Sequence, residues 1–101
     1  MIVANSVYIN KETKVLIQMI DSLPDPDSQD FHRHLSSVKD AWKKLKNVAR
    51  FSFPYAELTK IEISLVELEA RAGADDISDY IYAKESLVFL LNELCRLEKL
   101  S

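Results

Sequence analysis

One glycine and three prolines in 101 residues leave few of the tight turns that hairpin-connected strands require. Leu, Glu, Lys and Ala, all strong helix formers, dominate instead, which points away from a β-sheet protein. Cys95 is the sole cysteine, so neither an intrachain disulfide nor a cysteine-based zinc site can form. No apolar run reaches the roughly 18 residues of a membrane-spanning helix. The opening Met1-Ile2-Val3-Ala4 is too short for a span or a complete signal peptide. A net charge of only -3 gives no global attraction to nucleic acid or anionic lipid. With 48% of residues hydrophobic, the composition also argues against disorder.

What is present reads as an all-α fold, an antiparallel bundle of about four amphipathic helices making one domain over residues 1–101. The spacing predicts helices near 6–23, 28–50, 54–72 and 76–99. The first would be capped by Asn5 or Ser6, carry a stripe of Tyr8, Val15, Leu16, Met19, Ile20 and Leu23, and stop at Leu23-Pro24. Asp27 or Ser28 would cap the second. Its seam is the most regular in the chain: Phe31, Leu35, Val38, Trp42, Leu45 and Ala49, in steps of four and three. Pro54 suits the first turn of a third helix, whose seam is Leu58, Ile61, Leu65, Leu68 and Ala72. Gly73 stands where a left-handed residue would end that helix. Asp75, Asp76 and Ser78 offer caps for the fourth. Its apolar arc of Ile77, Tyr80, Ile81, Leu87, Val88, Leu91, Leu94, Cys95 and Leu97 is wide enough to make it the most buried helix, and Lys99 suits its last turn.

The catalytic and metal templates each lack a required residue. His32 and His34 are two apart, which throws the rings to nearly opposite sides of a helix, whereas a helical metal pair needs a spacing of three or four. Counting from Asp25, the sixth and twelfth places of a calcium loop hold Asp30 and Ser36 instead of glycine and glutamate. Asp25, Asp27 and Asp30 therefore read as capping residues. Glu57, Glu62, Glu67 and Glu69 suggest a di-metal bundle, but no glutamate is followed three residues later by histidine. There is no phosphate loop and no nucleophile elbow. The expectation is a protein without catalytic residues, cofactor or metal.

Surface charge is segregated. Lys39, Lys43, Lys46 and Arg50 form a basic stripe beside the Trp42 seam, while the third helix is rich in glutamate. Rows of this kind are usually solvated faces, here complementary across a helical hairpin. The sharper reading is a docking strip for an acidic protein or for lipid headgroups. Phe51, Phe53 and Tyr55 at the intervening corner either plug the bundle end or, if exposed, form an interaction patch.

From Ala41 onward the chain resembles domain-of-unknown-function family 4363, a family of small bacterial proteins. The likeness lies in Trp42-Lys43-Lys44-Leu45 and in the acidic helix from Glu57 to Glu69, reading ELTKIEISLVELE; Tyr8-Ile9, Leu90-Leu91 and Leu94 look similar too. The resemblance implies an N-terminal membrane anchor followed by a helical domain outside the cytoplasm, with no established activity. Many members carry a histidine where this chain has Phe53-Pro54-Tyr55, so no role of that residue carries over. Either the anchor was removed or this member is a cytoplasmic one. The expected function is a non-catalytic interaction module binding a protein partner or a membrane surface, and not nucleic acid. The rivals are a bundle enclosing a small apolar molecule and, more remotely, a metal enzyme whose histidines meet by dimerisation.

Overall fold

A computed structural model describes residues 2–74 and 76–100, with side chains described between 7 and 97. Four helices account for the described chain: α1 (Ile2–Asp21), α2 (Phe31–Ala49), α3 (Tyr55–Ala72) and α4 (Ile77–Leu100). Short corners force successive helices to reverse direction. Each packs on its chain neighbours and α1 closes the ring on α4, while α2 and α3 touch only sparsely. The result is an all-α four-helix bundle, elongated to 45 × 21 × 16 Å.

One hydrophobic cluster runs through all four helices. Phe31, Leu35, Val38, Trp42, Leu45, Leu58, Ile61, Leu65, Leu68, Leu87, Leu91 and Leu94 are all buried. In α1 the buried side is Ile9, Thr13, Leu16 and Ile20, continued just past its end by Leu23, again in steps of four and three. Tyr8 and Val15, expected on the stripe, are instead exposed. The seam's phase is hidden in the sequence because one of its members is polar. Thr13 is fully buried and its hydroxyl donates to the Ile9 carbonyl at 2.6 Å, satisfying itself one turn back.

The helix ends also depart from expectation. α1 begins at Ile2, so Asn5 and Ser6 lie inside it and neither is its cap. α2 begins at Phe31, not at 28, because residues 25–31 fold into two successive turns. In these the Ser28 N–H donates to the Asp25 carbonyl and the Phe31 N–H to the Ser28 carbonyl. The Ser28 hydroxyl accepts from the Asp30 N–H within that turn, and the cap position falls to Asp30, which makes no side-chain cap bond. Pro54, with φ -59 and ψ 146, stands one place before the first turn of α3. Gly73 is right-handed, at φ -82 and ψ -7. α3 closes by tightening, with the Gly73 N–H on the Ala70 carbonyl and the Ala74 N–H on Arg71, so no left-handed residue is needed. Asp76 does cap α4, its Oδ1 accepting the Ser78 N–H at 2.9 Å. Asp75 and the Lys99 side chain lie outside the described residues.

α4 buries Tyr80, Ala83, Leu87, Leu91, Leu94 and Cys95, a narrower strip than its apolar arc. Ile77, Ile81, Tyr82 and Phe89 are left exposed, so the width of that arc is not a measure of burial. At the α2–α3 corner the aromatics divide. Phe53 folds into the core as its N–H reaches the Ala49 carbonyl, while Phe51 and Tyr55 stand in solvent.

Candidate interaction surface

The basic stripe is largely internal business. Antiparallel packing of α2 and α3 about the corner at Pro54 aligns Lys39 with Glu69 at 2.6 Å and Lys46 with Glu62 in a second ion pair. Both pairs bridge the sparse seam. Being part-exposed, they contribute little energy and chiefly match the register of the two helices at the rim. Arg50 lies over the Phe51 ring, 5.1 Å from its centroid. Of the four stripe residues, Lys43 alone faces outward without an ionic or ring contact among the described residues. A strip whose charge is partly neutralised within the chain is a weaker docking surface than its spacing suggests.

Between the two ion pairs a cleft of about 300 Å³ opens, lined by Lys39, Trp42, Glu62, Leu65, Val66 and Glu69. Trp42 is 4% exposed, and its indole N–H is buried without an acceptor among the described residues. Val66, on the α3 side, is 67% exposed.

The larger apolar exposure lies on α3 and α4. Ile63 is 55% exposed and Tyr82 72%, and they line one cleft with Lys60, Ser64, Glu67, Ser86 and Leu90. Phe89, one heptad beyond Tyr82 on the same side of α4, is also exposed. None of these residues stood out in the sequence as a surface feature. Ile63 and Val66 sit within a Leu-rich helix, where spacing alone does not separate inner from outer apolar positions.

At the opposite corner a cleft of about 310 Å³ is rimmed by Asp25, Asp27, Arg71 and Asp76, with Tyr80 in its wall. Arg71 is held by Asp79 at 3.1 Å. Burial first, and then the charge of Asp25, pushes the Tyr80 hydroxyl above its usual pKa. His32 packs edge-on against Phe31, and His34 lines a separate groove with Val15 and Met19. Among the described residues no group of three His, Cys, Asp or Glu side chains could hold a metal ion. None of the described helices is long and apolar enough to cross a membrane. No protein family, curated protein or solved structure matches the chain significantly.

Proposed function

We propose that this chain is a non-catalytic helical interaction module that holds a protein partner against the outer face of α3 and α4. The observation that carries the reading is the large apolar side chains left in solvent there: Ile63, Val66, Tyr82 and Phe89. Single exposed apolar residues are ordinary. Here Ile63 and Tyr82, on adjoining helices, share one shallow cleft with Lys60, Glu67 and two serines, the composition of an interface with a polar rim, and Val66 and Phe89 extend the exposed apolar surface beyond it. Following the resemblance to family 4363, the module would be the extracytoplasmic part of a membrane-anchored bacterial protein, with an anchor distinct from these four helices. A bundle wrapped around a small apolar molecule has less support, since the inner positions are filled by packed Leu, Ile and Phe side chains.

A photoreactive phenylalanine analogue at position 82 tests the proposal in cells. A discrete covalent protein adduct, reduced by Ile63→Glu, is the expected result. Absence of any adduct from positions 82 and 89, with the chain folded, would refute the reading.

A further inference from the structure

We infer that the occupant of this face is a second copy of the chain, paired through α3 in an antiparallel two-fold arrangement. The inference rests on the reading of the face as an interaction surface. Besides its buried seam, α3 carries a second stripe on the opposite side: Ala56, Thr59, Ile63, Val66 and Ala70, in steps of three, four, three and four. All are exposed apart from the half-buried Thr59. Steps of this kind keep one stripe facing one helix over several turns, and small residues at its ends let the backbones approach closely.

The charges beside the stripe select the partner. Lys60 and Glu67 lie on one flank, seven residues apart. A two-fold axis crossing α3 beside Ser64 sets Ile63 against Val66 of the second copy and Lys60 against its Glu67, each contact occurring twice. Among the described residues Glu67 has no ion-pair partner, and Lys60 has only a long 3.4 Å pair with Glu57. On the other flank Glu62 and Glu69 would face their own kind. They are already paired with Lys46 and Lys39. A parallel pairing would instead bring Glu62 against Glu67 of the other copy, like charge on like. Tyr82, across the cleft from Ile63, extends the apolar contact on the Lys60 side.

Sedimentation equilibrium of the full chain should show a monomer–dimer equilibrium in the micromolar range, the affinity of a modest interface. Lys60→Glu and Glu67→Lys should each weaken the dimer about tenfold or more. The double variant Lys60→Glu/Glu67→Lys should restore it, and mixing the two single variants should give a heterodimer, because both charge pairs are then re-formed. Ile63→Glu should abolish association while leaving the helical circular dichroism unchanged. A double variant no tighter than the singles would overturn the inference. So would a monomeric chain with a position-82 adduct to a different protein, an outcome that leaves the interaction reading standing. A monomer with no adduct overturns both.

Discussion

Two buried polar groups make predictions that apolar packing alone would not. Trp42→Ala should cost about 3–5 kcal/mol, the usual loss for a large buried aromatic. Trp42→Phe should cost far less, about 1 kcal/mol, since it also removes an indole N–H that is buried without an acceptor among the described residues. Urea denaturation midpoints measure both, and equal losses would show that the N–H is bonded. Tyr80 packs edge-on against Phe31 at 5.8 Å, and its hydroxyl also lacks a partner among the described residues. Its pKa is raised in the fold, by burial and then by Asp25. Above the ordinary phenol value of ~10 the unfolded chain therefore loses a proton that the folded chain keeps. Stability from this group is complete below that pH and declines as pH rises through the folded pKa. Tyr80→Phe should remove this part of the alkaline decline, read from denaturation midpoints on either side of pH ~10.

At the scale of the helix, legibility followed the chemistry of the seams. The α2 seam, Phe31 to Ala49, contains no polar member and spacing alone locates it. In α1 the buried hydroxyl of Thr13 breaks the apolar rhythm, so spacing alone points to Tyr8 and Val15, which are exposed. The inner face of α3 was plain from its leucines. The outer stripe was not, because Ala56, Thr59 and Ala70 carry little hydrophobic signal. Lys39 and Lys46 could be placed on one face, but their pairing with Glu69 and Glu62 depends on the register of two helices about Pro54. Glycine misled in another way. Gly73 has a right-handed backbone, and a Cβ added there would meet only the Ala70 carbonyl oxygen, at an ordinary 3.6 Å. Gly73→Ala should therefore raise stability by about 0.4–1 kcal/mol through the unfolded chain's lost freedom. A drop in the melting temperature would show that the residue needs a conformation only glycine adopts.

Across the whole molecule, packing is uneven: α1–α2, α3–α4 and α1–α4 meet closely, whereas α2 and α3 share a cleft and two ion pairs. Covalent sequence and spatial adjacency thus diverge at two helix pairs. Pro54 joins the two helices that pack least, while α1 and α4, which pack well, are joined by nothing. Since α1 and α4 run antiparallel, the start of one and the end of the other share an end of the bundle. A circular permutant with a flexible linker from α4 to α1, opened between Phe51 and Ser52, would move the covalent join onto a seam that packing already holds. Both residues flanking the cut are exposed, so no core side chain is disturbed. That permutant should remain helical and unfold cooperatively, losing less stability than one opened between Gly73 and Ala74, where the cut separates the closely packed α3 and α4. The reverse order of stabilities would mean that the α2–α3 corner is a strut of the bundle. The expected order makes it a tether, whose work is to keep two helical hairpins at high local concentration.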